Sequence, residues 1–314
     1  MGEHEARRID RVAVIGAGTM GRQIAALIAA SGREVTLHDA VPEMLEAAPA
    51  RIREELATLP HLPQYAHHTF RLDPPDDHEA LLARIRPVES LAEAVAGADL
   101  VIEAIREDLD TKRVFFSHLD ALLPDAILAT NSSSIPSGQI ASALSEPGRL
   151  LNMHFFAPVW KRSMVELMGC GQTTPETMAA AEAFARSLGI VVAVVRGESK
   201  GFIINRVWRA VKKEALKVVD EGHADPEDVD RLWMIFFGTP NGPFGIMDMV
   251  GLDVVADIET SYQKVATDPA DTPSAVLHGK LATGEIGEKT GKGFYSHPDP
   301  EFLRPGWLTG EPQD

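Results

Sequence analysis

The chemistry in this sequence begins with Gly16-Ala17-Gly18-Thr19-Met20-Gly21, which has the G-x-G-x-x-G spacing. Glycines so placed allow a tight turn and close approach of the backbone to a pyrophosphate. The phosphates then rest on N–H groups at the start of the next helix, where the dipole is positive. Asp39 stands eighteen residues after Gly21, where a carboxylate can accept hydrogen bonds from an adenosine ribose. It would repel a 2′-phosphate, so the pattern favours NAD over NADP. FAD-binding proteins use the same turn, and a plain glycine turn beside a solvated aspartate has the same residues. His154 ends an apolar run, and Glu166 follows twelve residues later in another. An imidazole suits proton transfer near neutral pH, and a carboxylate can hold its tautomer and stabilise the cation. Hydride transfer from an alcohol to a nicotinamide needs such a base. A strand-end histidine bonded to a backbone carbonyl would fit the same position.

These groups need elements to hold them. Arg11 to Ile15 is a β-branched run bounded by Gly16 and reads as a buried strand. Residues 19–30 read as a helix with Gly32 at its stop, and Val35 to Asp39 as a second strand. Strand, helix, strand within about thirty residues is one βαβ unit. Glu43 to Leu59 reads as helical despite Pro49, residues 60–78 as an irregular loop, and Asp77–Arg84 and Leu91–Ala96 as short helices. Then come a strand at Leu100–Ile105, a helix at Asp110–Leu123, a strand at Ala126–Thr130, a helix at Pro136–Leu144, and strands at Leu150–Phe155 and Val165–Met168. Thr174-Pro175-Glu176 gives an N-cap, a proline at the first helical position and an acid in the first turn, opening a helix to about Leu188. Ile190 to Val195 is a further apolar strand. The repeated alternation predicts a Rossmann-type, doubly wound, mostly parallel sheet. Ser132, Ser133 and Ser134 follow one strand and His154 ends another, so both lie at strand carboxyl ends, where open α/β sheets bind ligands.

After Arg196 the pattern changes. Ile204, Val207, Trp208, Val211, Ala215 and Val218 keep a 3.6-residue period, Gly222 stops that helix, and Asp225-Pro226 starts another. The expected division is a nucleotide-binding domain over 1–197, an all-helical domain over 198–296 and an irregular tail over 297–314.

The chain has 314 residues, a length suited to two domains. Its 45% hydrophobic and 24% charged residues are those of an ordinary globular protein. The net charge of −16 argues against nucleic acid or an anionic membrane as partner. One cysteine, Cys170, excludes an intrachain disulfide framework and a cysteine-based zinc site. No apolar run approaches the ~20 residues of a membrane helix. The charged start, Met1 to Arg11, reads as no signal peptide, and the expectation is a cytoplasmic protein.

Set in order, the motifs resemble the 3-hydroxyacyl-CoA dehydrogenases over roughly residues 11–295. The matching pieces are Gly16 to Gly21, Ile102-Glu103-Ala104-Ile105 with Glu107 and Lys112, and Asn131-Ser132-Ser133-Ser134. They continue with His154-Phe155-Phe156-Ala157-Pro158, Val165-Glu166-Leu167, Gly201 to Arg206, Gly242-Pro243-Phe244, and Lys289 to Tyr295. The resemblance implies NAD-dependent oxidation of a 3-hydroxyacyl-CoA, with His154 as the base and Glu166 paired to it. Ser133 and Asn205 would hydrogen-bond the substrate's 3-oxygen and polarise it. Gly16, Gly18, Thr19, Met20, Gly21, Asp39, Glu107, Lys112 and Asn131 would hold the NAD. The helical domain would form most of a homodimer interface.

The sequence departs from this family in places. Ala157 stands where asparagine is usual, and Lys200-Gly201 where Pro-Gly is common. The lysines that usually follow Asp39 are absent, leaving Arg51, Arg53 and Arg71 before Arg84 and Arg86. A guanidinium can also bind phosphate. A free hydroxy acid or a carrier-protein thioester is the alternative substrate, and a silent NAD-binding protein the alternative class. Other features read blandly. Gly287 to Gly293 has the wrong spacing for a phosphate loop, so it reads as a turn. His61, His67, His68 and His78 lack helical or cysteine partners, so no metal is expected. Lys212, Lys213 and Lys217 read as a solvated face, Trp208 and Trp233 as core or interface, and Cys170 as an inert thiol.

Overall fold

The computed structural model describes residues 7–58, 75–264 and 272–310. These divide into two compact units, the first running to Ile204 and the second starting at Asn205. Most of the expected 60–78 loop, with His61, His67, His68 and Arg71, lies outside the described residues.

The first unit opens with β1 (Val12–Ile15), α1 (Thr19–Ala30), β2 (Val35–His38) and α2 (Pro42–Thr58). It continues with α3 (His78–Leu82), β3 (Ile85–Pro87), α4 (Leu91–Val95), β4 (Leu100–Glu103), α5 (Leu109–Leu122) and β5 (Ile127–Thr130). It closes with β6 (Leu150–Phe155), β7 (Met164–Gly169), α6 (Pro175–Ser187) and β8 (Val191–Val195). The sheet order is β3-β2-β1-β4-β5-β6-β7-β8. Neighbours run parallel, except that β6 and β7 are antiparallel. The order reverses between β1 and β4, the place where doubly wound sheets open a ligand crevice.

Strand side chains alternate between two cores. Val12 and Val14 join Ile24, Leu27 and Ile28 of α1 on one face. Ala13 and Ile15 join Phe116 and Leu119 of α5 on the other. Each of these valine, leucine, isoleucine and phenylalanine side chains, once fully buried, contributes about 1.5–3 kcal/mol.

Three local readings differ from the structure. Residues 136–144 form two 3₁₀ turns, Ser137–Gln139 and Ala141–Ala143, in place of one helix. Asn152 of β6 is the reason: its Oδ1 accepts from Ser137 N–H at 2.6 Å and its amide donates to Ile135 O at 3.1 Å, which fixes the entry in extended backbone. β3 is an unforeseen strand that ends in Pro87, tolerable because it is an edge. β8 lies at the other edge, so Val191 and Val194 are exposed despite their apolar pattern.

The second unit holds α7, which begins at Ile204 and runs to Asp220, then α8 (Pro226–Phe237), α9 (Pro243–Val250), α10 (Leu252–Gln263) and α11 (Ala275–Ala282). Its core gathers Leu216, Met234, Phe244, Met247, Leu252, Val255, Phe294 and Tyr295. Among its described residues only isolated β-bridges occur, Gly287 with Lys292 and Lys292 with Ser296. The stretch read as a tail carries two 3₁₀ turns, Glu301–Leu303 and Trp307–Thr309, and it buries Phe302 and Trp307 in this core. Aromatic side chains at wide spacing leave no period to read. No described helix is long and apolar enough to cross a membrane.

Candidate active site

The three glycines between β1 and α1 serve three different needs. Gly16 has φ +108°, and a Cβ there would stand 2.5 Å from the carbonyl oxygen of Ala104 just beyond β4. A Cβ on Gly21 would stand 1.7 Å from the Gly16 carbonyl oxygen, so the helix can sit against the turn only without a side chain. At Gly18 a Cβ would meet no protein atom within 4 Å, which leaves its side open to a ligand. Gly18 is also the N-cap of α1, with no side chain bonded to the first N–H groups. The loop is held by Arg22, which donates to Ala17 O at 3.0 Å and to Glu55 at 2.7 Å. Thr19 is exposed and Met20 half-buried at the helix start. Asp39, just past β2, accepts from Ala17 N–H at 2.6 Å and from Val41 N–H at 2.9 Å. Its carboxylate therefore stays beside the glycine turn. Open space at Gly18, uncapped N–H groups and a fixed acid fit a dinucleotide.

His154 and Glu166 are direct cross-strand partners of β6 and β7. Opposite residues in an antiparallel pair share a face. Their side chains meet, His154 Nδ1 lying 3.1 Å from Glu166 Oε2, and both are almost fully buried. The other oxygen, Oε1, accepts from Ile203 N–H at 3.0 Å and Ile204 N–H at 2.9 Å. An ionised carboxylate can only accept, so Nδ1 carries the proton of this bond. A neutral ring then has its lone pair on Nε2. The imidazole also packs against Phe156 and Phe202, at ring-centroid distances of 4.2 and 4.7 Å.

A charged network lies beyond β4. Lys112 is buried, with Nζ 2.5 Å from Glu103 Oε1 and 3.4 Å from Glu107 Oε2. Glu103 also accepts from Thr130 Oγ1 at 2.7 Å and Ile105 N–H at 2.8 Å. Burial pushes its carboxyl above the usual range, against those donors and Lys112. Burial also acts to raise Glu107, but the Ser132 and Ser134 hydroxyls, Lys112 and the Ser134 N–H outweigh it and hold this carboxyl low. Ser132 and Ser134 thus bracket Ser133, whose own side chain is exposed. Asn131 Oδ1 accepts from Phe155 N–H at 2.9 Å, which ties the serine loop to the end of β6.

The structure therefore brings His154 together with Glu166, and Glu107 with Lys112 and the serine loop. Asn205 is half-buried as the second residue of α7 and belongs to the other unit. Sequence reasoning gave no role to Glu103, Gln23, Ile203 or Ile204. Gln23 accepts from Val159 N–H at 3.1 Å and so pins the loop after β6 to α1. Only Glu103 left a signal: an acid closing a buried strand requires a cation, and Lys112 is the first lysine of the chain. Among the described residues no group of three or more His, Cys, Asp or Glu side chains could hold a metal ion.

A glycine turn that fits a dinucleotide and a buried histidine–carboxylate pair on one doubly wound sheet are the parts that a dinucleotide-dependent dehydrogenase needs. Comparison with known proteins refines the class. Residues 11–199 match the family described as 3-hydroxyacyl-CoA dehydrogenase, NAD binding domain, and residues 201–297 match its C-terminal domain. A probable 3-hydroxybutyryl-CoA dehydrogenase of Bacillus subtilis is 34% identical over 292 residues, 93% of this chain and 98% of that one. The structure of a (S)-3-hydroxybutyryl-CoA dehydrogenase from Ralstonia eutropha covers 93% of this chain and 100% of its own, with a TM-score of 0.81 and 32% identity. A 5-formyl-3-hydroxy-2-methylpyridine 4-carboxylate 5-dehydrogenase of Mesorhizobium japonicum is 31% identical over 293 residues, 92% of this chain and 91% of that one. The chain belongs to the 3-hydroxyacyl-CoA dehydrogenase family, and is an NAD-binding oxidoreductase.

Proposed function

We propose that this enzyme oxidises a short 3-hydroxyacyl-CoA to the 3-oxoacyl-CoA, reversibly. The observation that carries the reading is the buried His154–Glu166 contact at 3.1 Å, in the sheet whose β1 leads into the glycine loop. Gly16, Gly18, Thr19, Met20 and Gly21 would receive the pyrophosphate of NAD, and Asp39 its adenosine ribose. Glu107 and Asn131 would face the nicotinamide side, with Lys112 holding Glu107. Bound NAD supplies the acceptor for the hydride from C3. His154 Nε2 takes the hydroxyl proton as that hydride leaves, and Glu166 steadies the imidazolium through Nδ1. Ser133 and Asn205 donate to the 3-oxygen as it becomes a carbonyl. In reduction the same imidazolium returns the proton.

The test compares acetoacetyl-CoA with acetoacetate, and NADH with NADPH. NADH oxidation with the thioester alone is expected. Activity on the free acid would favour a second reading, in which the substrate is not a CoA ester. That reading draws on α2, where Glu43, Glu46, Glu54 and Glu55 outnumber Arg51 and Arg53, and Glu79 already binds Arg53 through two bonds. The pyridine-carboxylate enzyme above is its precedent. No NADH change with any hydroxyacyl compound would leave a silent nucleotide-binding protein.

We infer in addition that two copies associate through the helical unit. Leu232, Ile235 and Phe236 form an i, i+3, i+4 face of α8, and Phe236 is 81% exposed. A contiguous apolar face of that kind marks an interface more often than a monomer surface. Sedimentation should give a dimer, and Phe236→Asp a monomer; a monomeric parent chain would refute the inference.

A further inference from the structure

Phe202 is the one non-glycine residue with positive φ, +54°, among the described residues. It follows Gly201, at φ +81°, so two successive residues take the left-handed conformation. For a bulky aromatic residue this conformation is strained, and it persists only where the surroundings over-determine it. Here they do. Phe202 N–H donates to Ser199 O at 3.0 Å, and Ser199 Oγ donates to Phe202 O at 3.0 Å, which closes a tight turn. The ring is 2% exposed and packs with Met168 of β7 and Val195 of β8. It also lies 4.7 Å from the His154 ring, tilted by 33°. The next two residues, Ile203 and Ile204, aim their N–H groups at Glu166 Oε1. One strained residue thus touches the imidazole with its ring and directs two donors to the carboxylate through its backbone.

We propose that Phe202 is a positioning residue for proton transfer, acting through His154 and Glu166. Its φ turns the chain so that Ile203 and Ile204 fix Oε1, which leaves Oε2 for Nδ1. Its ring restricts rotation of the imidazole, so that Nε2 keeps one direction. Catalytic groups lose rate steeply when their geometry loosens. A residue that merely packed against β7 and β8 would need neither a flat ring against His154 nor a left-handed φ.

The proposal rests on His154 as the proton-transfer group, and a double-mutant design separates the two claims. Phe202→Leu keeps an apolar side chain and removes the flat ring; Phe202→Met supplies a second filling of different shape should the leucine variant not fold. Expected is a fall in kcat of about tenfold or more, with KM for NAD changed less than about twofold, since the nucleotide cradle is untouched. In the His154→Gln background the same substitution should change kcat by less than about twofold, because residues that act through one another are not additive. Phe202→Gly, which frees the backbone yet removes the ring, should be as slow as Phe202→Leu. Undiminished kcat in the folded single variants would overturn the proposal. So would an equal loss in both backgrounds, which marks a merely structural role. If His154→Gln alone retains full turnover, the reading of His154 fails instead.

Discussion

Each unit buries a carboxylate built to the same plan. Glu166 accepts two consecutive backbone N–H groups, from Ile203 and Ile204, and faces a histidine. Asp248 accepts two consecutive N–H groups, from Phe294 at 2.9 Å and Tyr295 at 2.9 Å, and faces His297 Nε2 at 3.0 Å. Neither acid is exposed, and neither imidazole side chain is more than 5% exposed. An acid–histidine pair is therefore no sufficient mark of catalysis. What differs is the supporting element. His154 on β6 and Glu166 on β7 face each other within the sheet whose β1 leads into the glycine loop. Asp248 lies on α9 and closes the loop Gly287 to Gly293, whose glycines leave it room: a Cβ on Gly293 would fall 2.2 Å from Asp248 Oδ1. The first carboxylate holds a ring in the sheet of the first unit. The second staples a loop to a helix.

The largest effect that could break this contrast concerns turnover. His154→Gln should lower kcat by about two to four orders of magnitude, the usual worth of a positioned general base. NAD affinity and the melting temperature should stay near those of the parent. His297→Gln should do the reverse, costing stability and leaving kcat within about threefold, because it loses only a hydrogen bond inside the helical unit. Stopped-flow NADH absorbance and thermal melts of the two variants read both quantities. Equal losses of kcat would erase the distinction between the pairs.

The next effect uses pH. Asp230 of α8 accepts from Phe244 N–H and Gly245 N–H, both at 2.8 Å, and from the Tyr295 hydroxyl at 3.0 Å. Burial nevertheless drives its pKa from 3.8 to about 6, those donors opposing and the nearby Asp248 carboxylate adding to the rise. Tyr295 is pushed up as well, by burial and then by the Asp230 charge. The folded chain thus holds a proton that the unfolded chain releases more readily. This contribution to stability is fully present below pH 3.8 and is lost as pH rises through about 6. Its size is on the order of 3 kcal/mol. Asp230→Asn cannot titrate, so the parent's unfolding free energy relative to that variant should fall by that order between pH 4 and pH 7 in urea titrations. A difference that does not vary with pH would mean that Asp230 ionises freely in the fold.

These two cases also explain what could be read in the sequence. The turn from Gly16 to Gly21 was legible because it is a contiguous motif whose constraints are local. Asp39 was legible because the βαβ unit fixes its distance. His154 and Glu166 were recognisable as types, but their contact depends on β6–β7 register, and a twelve-residue spacing does not fix where a hairpin turns. The Gly287 to Gly293 stretch was read as a turn, while its partner, Asp248, lies about forty residues upstream and left no local trace. Residues 136–144 failed for the opposite reason. Their helix-like pattern was real, and Asn152, from a strand not yet formed in the sequence order, overrode it.

The smallest effect separates the two glycine loops. Gly18 has φ −66° and ψ −174°, which alanine adopts without strain, and its missing side chain would meet no protein atom. Gly18→Ala should therefore leave unfolding unchanged within about 0.5 kcal/mol, as for a surface substitution. A methyl group there would enter the space for a pyrophosphate, so Kd for NAD should rise about tenfold, or about 1.4 kcal/mol. Gly293→Ala is the matched control: its methyl would displace the Asp248 carboxylate and cost about 1–3 kcal/mol of stability, with Kd for NAD unaltered. Calorimetric titration with NAD and urea unfolding measure both. If Gly18→Ala bound NAD as tightly as the parent, the open side of Gly18 would not face the pyrophosphate. If Gly293→Ala weakened NAD as well, the helical loop would be part of the nucleotide site, and the two buried carboxylates could no longer be told apart by where they stand.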